Sequence, residues 1–313
     1  MGGILYITVL LGILLAWAFV LRAHRSIRET TLVSAWLWSM VAVTMWAVIW
    51  FADQCLTVIS TELADHAWYA NAVLSLCPPM AVLGSRRPGT RVWTWFILWP
   101  MLLALGWPVI TLWLQGSELR GLQLETPQLV TFCLVLLMGV GNYCGTRFTV
   151  SALLYGASTL ALVVSSSANS AGWLSDRVGI RFWSTVLMLL AVWMIRTSSR
   201  PIAATKFDQL WFDFFDTFGI VWGRRIQDRI NFIAAKEGLP VRLELDGFAG
   251  ITAPDRSSVS LSSDAPIANA NEVEARVEHI LRWLLRRFVD PVWIDHRLGA
   301  DAVPKDNDLT VDS

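Results

Sequence analysis

Residues 4–28 read ILYITVLLGILLAWAFVLRAHRSIR, where an uncharged, mainly apolar run as far as Leu21 is followed by Arg22, Arg25 and Arg28. A helix of about 20 mainly apolar residues crosses the roughly 30 Å hydrocarbon core of a bilayer. Arginines that flank such a helix stay on the cytoplasmic side during insertion. The stretch therefore predicts a membrane span whose C-terminal end is cytoplasmic. Because no basic segment precedes it and no convincing small-residue cleavage site follows it, we expect a retained anchor with the N-terminus outside.

The composition divides the chain into a lipid-embedded part and a soluble part. The 313 residues are 55% hydrophobic and 16% charged, whereas about 25% of the residues of a soluble domain are charged. Residues 1–195 contain 10 of the 25 basic and 7 of the 25 acidic residues, and the rest contain 15 and 18. We predict a transmembrane domain over 1–196, a cytoplasmic amphipathic region over 197–299 and a disordered polar tail over 300–313. The net charge of zero argues against nucleic acid as a partner.

Seven apolar stretches are candidates for membrane spans. They cover residues 4–21, 32–51, 67–84, 92–114, 128–144, 148–167 and 182–196. The third contains Pro78 and Pro79, which lack a backbone donor and are expected to kink the helix. The predicted fold class is an all-α polytopic membrane protein with seven transmembrane helices, followed by a small, mostly helical cytoplasmic tail with one short strand.

The basic residues near the spans favour one orientation. With the N-terminus outside, the cytoplasmic side holds Arg22, Arg25, Arg28, Arg86, Arg87, Arg91, Arg147, Arg196, Arg200 and Lys206, and the outside holds Arg120, Arg177 and Arg181. Because Lys and Arg set topology, an N-out, C-in protein is predicted, and six or eight spans would break the alternation. The chain has no Asn-x-Ser/Thr acceptor, which is consistent with a bacterial-type inner membrane.

The middle of the predicted spans contains no acidic or basic residue. Charges within the bilayer mark ion paths and proton relays, so ion-coupled transport is disfavoured. The cysteines Cys55, Cys77, Cys133 and Cys144 lack metal-ligand spacing and are interpreted as small apolar residues. We expect no cofactor and no bound metal.

The loop after the second span contains the candidate site residues Glu62, Asp65 and His66. If 61–66 is helical, Glu62 shares a face with Asp65 and with His66. Two carboxylates and an imidazole could act as acid and base, although their spacing matches no metal signature. The alternative interpretation is an exposed acidic loop outside the cell, in which replacing all three residues with alanine costs little stability.

The tail begins with a long amphipathic pattern over 207–236. Its apolar face is formed by Phe207, Trp211, Phe214, Phe218, Trp222, Ile226, Ile230 and Ile233, a spacing typical of one helix. Gly238 and Pro240 are expected to end this helix. Alternation over 241–246 predicts a strand, and residues 249–271 are expected to form a flexible loop. A second helix over 272–289, capped by Asn271, is expected to end at Asp290–Pro291.

The apolar faces of these two helices need a covering, which could be each other, the membrane surface or another protein. Arginines at the end of both helices fit anionic headgroups, and they also fit solvation and the helix dipole. Two helices and one strand bury little apolar surface. We therefore predict protein contact or self-association through 207–236 and 272–289, and poor solubility of 205–313 expressed alone.

The sequence favours a non-enzymatic scaffold or subunit of a membrane complex, with the lipid bilayer as its surroundings and the tail as its docking element. Whether the protein is an enzyme stays open. One alternative is a carrier or channel-like subunit for a neutral or lipid substrate that uses the proline-kinked third and fourth spans. Another is a membrane enzyme with Glu62, Asp65 and His66 at its outer face.

Overall fold

The computed structural model describes residues 3–55, 60–115, 122–167, 176–199, 203–250 and 270–299. The helices in these ranges are α1 (Gly3–Ile27), α2 (Val33–Cys55), α3 (Thr61–Ser75), α4 (Cys77–Leu83), α5 (Thr90–Trp93), α6 (Trp99–Gln115), α7 (Thr126–Gly141), α8 (Thr149–Ser166), α9 (Arg177–Thr197), α10 (Lys206–Glu237), α11 (Ala270–Leu285) and α12 (Pro291–Leu298). A π-helix, Thr94–Leu98, joins α5 to α6, and β1 (Arg242–Glu244) pairs antiparallel with β2 (Gly247–Ala249). The predicted tail region at 300–313 and most of the predicted loop at 249–271 lie outside the described residues.

The chain divides into two compact units. Unit 1 contains Met1–Arg200 and Phe218–Val221, and unit 2 contains Pro201–Thr217 and Trp222–Ser313. Among the described residues, five helical segments of unit 1 are long and apolar enough to cross a membrane. They are Tyr6–Ile27, Val33–Asp53, Thr90–Thr111, Thr149–Ser166 and Arg177–Thr197. The predicted all-α class, with apolar helices of membrane-spanning length, is confirmed.

The other two predicted spans are helical but differ from a full-length span. Helix α7 has 16 residues, and the stretch predicted as 67–84 consists of α3 and α4 with a break at Leu76. The break follows from the prolines, because Pro79 has no N–H to donate to the carbonyl of Ser75. The Tyr155 hydroxyl of α8 donates to that carbonyl instead. A side chain from a neighbouring helix thus satisfies the backbone at the kink, as an apolar environment requires.

Helices α8 and α9 pack closely through small side chains. The Ser158 hydroxyl donates to the carbonyl of Ser184 at 2.8 Å, and the Ser184 hydroxyl donates back to the carbonyl of Ser158 at 2.7 Å. Small residues let helix backbones approach each other, and hydroxyl pairs across the interface add hydrogen bonds. The sequence signal for this packing is the run of serine, glycine and alanine in the sixth predicted span.

Helix α10 is interrupted at Gly219, which has φ 79° and ψ −179°. Asn142, at the end of α7, makes the hydrogen bonds that the helix lacks there. Its side-chain amide donates to the carbonyl of Phe218 at 3.1 Å, and its side-chain oxygen accepts from the N–H of Val221 at 3.1 Å. Its backbone carbonyl accepts from the N–H of Ile220 at 2.7 Å. The single continuous helix predicted over 207–236 is wrong at this point, although both of its ends agree with the structure.

Unit 2 is built around the aromatic face of α10. Phe288, just after α11, contacts Phe214 at 5.4 Å and Trp222 at 4.9 Å between ring centroids. At the far end of the pair Arg276 donates two hydrogen bonds to Glu237, so α10 and α11 run antiparallel. These hydrogen bonds hold the pKa of Glu237 below its usual value.

The two strands and α12 complete unit 2. The side chain of Asn231 accepts from the N–H of Leu243 at 2.7 Å and donates to its carbonyl at 2.9 Å, which fixes β1 along α10. The sequence predicted one strand, and the second pairs with it through a tight turn. The second helix predicted over 272–289 is α11, which ends at Leu285, and Asn271 lies inside it and does not cap it. Pro291 begins a further helix, α12, in whose first turn a missing N–H leaves no helical hydrogen bond unmade.

Aromatic side chains of the tail are covered by one another in the structure. Trp211 contacts Phe214 and Phe215, and Trp222 contacts Phe288. The rings cover each other within unit 2, as one of the three predicted coverings required. The poor solubility of 205–313 expressed alone remains a prediction.

Candidate functional site

Four charged side chains meet where α2 ends and where α3 and α9 begin. We call Asp53, Asp65, Arg177 and Arg181 the Asp–Arg cluster. Asp53 lies in the last turn of α2, Asp65 in the second turn of α3, and the two arginines lie one turn apart at the start of α9. The N-terminus of α3 is fixed by Ser60, whose hydroxyl accepts from the N–H of Leu63, and that of α9 by Asp176, which accepts from Gly179.

Asp65 is the centre of the cluster. One of its carboxylate oxygens accepts from Arg177 and the other accepts from Arg181. Arg181 also lies 3.6 Å from a carboxylate oxygen of Asp53, which accepts from the indole N–H of Trp68 at 3.1 Å. Asp65 is 1% exposed and Arg181 is 3% exposed, so each depends on the other for compensation of its charge.

Aromatic side chains cover one side of the cluster. The rings of Trp46 and Trp50 lie edge-on to Trp68, with centroids 6.0 and 6.4 Å away. Trp46 also donates to the hydroxyl of Thr185, one turn beyond Arg181. This apolar surrounding strengthens the ion pairs and raises the cost of breaking one of them.

The three candidate site residues are on one helix but do not form a triad. His66 places Nδ1 against the backbone carbonyl of Glu62, four residues earlier. The contact requires a protonated Nδ1, since a carbonyl oxygen only accepts. Asp65 bonds to the arginines of α9, and the side chain of Glu62 is half-buried. The expected exposed loop is wrong for Asp65 and His66, which are both buried.

This arrangement suits a structural clamp better than acid–base chemistry. Both carboxylate oxygens of Asp65 accept hydrogen bonds from guanidinium groups, so neither is free to take a proton from a substrate. The Nε2 atom of His66 is buried and has no hydrogen-bond partner in the described part of the chain. A general base needs to reach the proton that it takes from a substrate, and a fully buried atom cannot do so without local opening.

Sequence reasoning missed the basic half of the cluster. Arg177 and Arg181 were counted only as part of the charge balance of loops, on the side that should be poor in arginine. Their i, i+4 spacing places both on one face of α9, and acidic residues end α2 and begin α3. Arginine is disfavoured in the loops predicted to lie outside. The presence of two arginines there was the available signal that they have acidic partners.

A second buried polar group lies deeper in unit 1. Asn71, on α3, is fully buried, and neither its side-chain oxygen nor its nitrogen has a hydrogen-bond partner among the residues that the structure describes. A buried amide without a partner is unfavourable by about 1–3 kcal/mol. Asn71 lies on α3, shortly before the kink at Leu76.

The described residues contain no group of three or more His, Cys, Asp or Glu side chains that could hold a metal ion. Cys77 is buried, while Cys133 and Cys144 are exposed. A scan against protein-family models, a search of curated proteins and a search of solved structures each found no match to this chain.

Proposed function

We propose that this chain is a non-enzymatic scaffold or subunit of a membrane complex. The observation that carries the proposal is the pairing within the Asp–Arg cluster, whose four charges bind one another. The remaining acidic and basic residues on the helices of unit 1 also lie near helix ends. Membrane proteins that move ions or protons hold charged groups inside the bilayer. The cluster is better explained as a clamp that holds three helix ends together.

The proposed topology has seven crossings, with the N-terminus outside and the C-terminus in the cytoplasm of a bacterial-type inner membrane. The five membrane-length segments support five crossings directly. Helices α3 and α4 together would supply another, and α7 the last. A 16-residue helix is about 24 Å long, which is slightly less than the hydrocarbon core, and small mismatches of this kind cost little.

Reporter fusions test this topology. Fusions after residues 30, 88 and 205 are expected to report the cytoplasm, and fusions near 62, 120 and 174 the outside, because arginine is concentrated in the first set of loops. Alkaline phosphatase and a fluorescent protein, used in parallel, give opposite signals on the two sides. A cytoplasmic signal at residue 62 would invert the orientation. If fusions at 120 and 147 report the same compartment, α7 does not cross the membrane.

Unit 2 is the proposed docking element, through the outward faces of 207–236 and 272–289. Its inward faces are already covered, so a partner would use the residues that remain exposed. Native mass spectrometry of the full chain, released from its own membranes in mild detergent, tests the proposal. A fixed stoichiometric complex is expected, and a monomer that restores uptake of a neutral solute in vesicles would contradict it.

One observation favours a carrier for a neutral or lipid substrate as a second candidate. The amide of Asn71, which has no partner among the described residues, lies near the break between α3 and α4. The fourth predicted span contains the π-helix Thr94–Leu98 and, inside α6, Pro108. Local distortions of this kind often occur at functional sites, and an amide could hold a neutral polar group.

Substitutions of Asn71 distinguish the scaffold from the carrier. In a scaffold, Asn71→Leu is expected to raise the thermal midpoint of the purified protein, because it removes a buried amide that has no partner. Asn71→Ala, which removes the amide without filling the space, should gain less. Both variants should complement a deletion strain. A variant that is stable and inserted but fails to complement would favour the carrier.

A further inference from the structure

The charged residues of unit 2 are sorted into paired and unpaired groups. Five described cations of this unit have an acidic partner: Lys206 with Glu274, Arg242 with Glu244, Arg276 with Glu237, Arg282 with Glu278 and Asp295, and Arg297 with Asp213. Arg224 and Lys236 are exposed and have no ion pair among the described residues. Arg225, Arg229, Arg286 and Arg287 are exposed, and among the described residues none of the four has an ion pair. Asp228 is exposed on the same helix and makes no ion pair with them either.

Arg225 and Arg229 lie one turn apart on α10, and Arg286 and Arg287 follow directly after α11. Arg225 sits 4.9 Å from the ring of Trp222, and Trp222 packs on Phe288. Because the helices are antiparallel, Arg286 and Arg287 are at the same level as the arginines of α10. Helical periodicity puts Arg225 and Arg229 about 160° or more from Gln227, which donates to the carbonyl of Leu243 in β1. The arginines are therefore on the side of α10 away from the strands.

Two exposed aromatic rings stand among the arginines. Phe232 is 58% exposed and Trp283 is 38% exposed. The guanidinium of Arg229 lies 5.3 Å from the ring of Phe232, and that of Arg286 lies 5.7 Å from the ring of Trp283. We call the surface formed by Arg225, Arg229, Phe232, Trp283, Arg286 and Arg287 the arginine–aromatic face.

We propose that the arginine–aromatic face binds the anionic phospholipid headgroups of the bilayer that holds unit 1. Arginine side chains without acidic partners attract anionic headgroups, and exposed aromatic rings settle at the headgroup level. The inference rests on the proposed insertion of unit 1 into a membrane. Unit 2 would then contact lipid in addition to any protein that it binds.

The length of the chain supports this occupant. Eight residues, 198–205, connect the end of α9 at Thr197 to the start of α10 at Lys206. A connection of this length spans at most about 30 Å even when fully extended. If α9 crosses a bilayer, α10 begins near its surface, so the headgroups are present at high effective concentration. A nucleic acid is a poorer fit, because residues 196–313 carry 15 basic and 18 acidic residues.

Photocrosslinking of the full chain in lipid nanodiscs tests the proposal. The photoreactive residue p-benzoylphenylalanine replaces Phe232, and the matched control replaces Leu245. Leu245 is 43% exposed and follows β1, on the other side of α10. The nanodiscs contain phosphatidylcholine alone, or phosphatidylcholine with phosphatidylglycerol. Intact-protein mass spectrometry then counts lipid adducts at each position.

The expected result is a phosphatidylglycerol adduct at position 232 and little adduct at 245. Changing Arg225, Arg229, Arg286 and Arg287 together to Gln should reduce the adduct at 232 by more than about tenfold, since each arginine contributes to headgroup attraction. Equal adducts at 232 and 245, adducts insensitive to the Gln changes, or crosslinks only to protein in native membranes would overturn the proposal. The result of this crosslinking experiment does not depend on the orientation of the chain, because both leaflets of the nanodisc contain the anionic lipid. A failure of the lipid proposal can therefore be distinguished from a failure of the proposed topology.

Discussion

Asp65→Ala is expected to reduce the free energy of unfolding of the protein by about 3–5 kcal/mol, the usual cost of breaking a buried ion pair from one side. The variant leaves the buried guanidinium of Arg181 with Asp53 as its remaining acidic neighbour, at 3.6 Å. Arg177 loses its partner as well. The loss should appear as a lower thermal midpoint in detergent, followed by size-exclusion chromatography after heating, and as reduced accumulation in the membrane.

Two companion variants make this result specific. Glu62→Ala, three residues earlier on the same helix, removes a carboxylate that lies outside the cluster and should change stability by no more than about 0.5 kcal/mol. The double variant Asp65→Leu with Arg181→Met removes both charges and should be less harmful than Asp65→Ala. If Asp65→Ala is as stable as Glu62→Ala, the cluster is not a clamp. The triple alanine change at Glu62, Asp65 and His66 is now expected to be destabilising, so it cannot by itself reveal a site.

A substitution of His66 distinguishes a structural role of the Asp–Arg cluster from a catalytic one. His66→Gln keeps a side chain that can donate and accept, but it lacks the imidazole that acid–base chemistry would use. If the cluster is only structural, the variant should insert, remain stable and complement a deletion strain. Normal stability combined with loss of complementation would support a membrane enzyme with a site at Asp65 and His66.

Gly219→Ala is the second change with a large expected effect. The φ of 79° and ψ of −179° lie in a region that is essentially restricted to glycine. A Cβ atom there would lie 2.4 Å from the backbone oxygen of Asn142 and 2.3 Å from its side-chain nitrogen. Backbone strain alone costs about 1–3 kcal/mol, and the clash displaces three hydrogen bonds made by Asn142. We expect a strongly lowered thermal midpoint or no accumulation of folded protein.

The control for this variant is Gly141→Ala, next to Asn142. Gly141 is helical, and a Cβ atom there would meet nothing within 4 Å. Alanine in a helix is more favourable than glycine by about 0.5–1 kcal/mol, so this variant should be neutral or stabilising. Asn142→Ala should be intermediate, because it removes the two side-chain bonds and keeps the carbonyl bond to Ile220. Equal stability of Gly219→Ala and Gly141→Ala would mean that the break in α10 is not required.

The sequence predicted the helices well because their signals are local. Apolar length identifies α1, α2, α8 and α9, and the stripe that starts at Phe207 identifies α10. The break at Gly219 could not be predicted in this way. Its hydrogen bonds come from Asn142, 76 residues or more away, and the apolar stripe of α10 continues past Gly219 without a change of period. The same holds for Asp65, whose partner Arg181 is 116 residues distant.

The structure of the tail was also only partly predictable from local sequence patterns. The strand over 241–246 and the stop at Gly238 follow from alternation and turn residues, and both were predictable. The covering of the aromatic face was left open, because periodicity shows which residues share a face and not what they touch. Pro291 was interpreted as a terminator, although proline is equally at home in the first turn of a new helix.

The kink at Leu76 bears on the order in which the chain can be assembled. The carbonyl of Ser75 receives its hydrogen bond from Tyr155, 80 residues later. At about 5–20 residues per second, α8 leaves the ribosome some 4–16 s after α3. During that interval the third hydrophobic segment carries a carbonyl that lipid cannot satisfy. A nascent chain stopped before residue 149 should therefore hold that segment beside the insertion machinery, and a chain that includes α8 should release it into the bilayer.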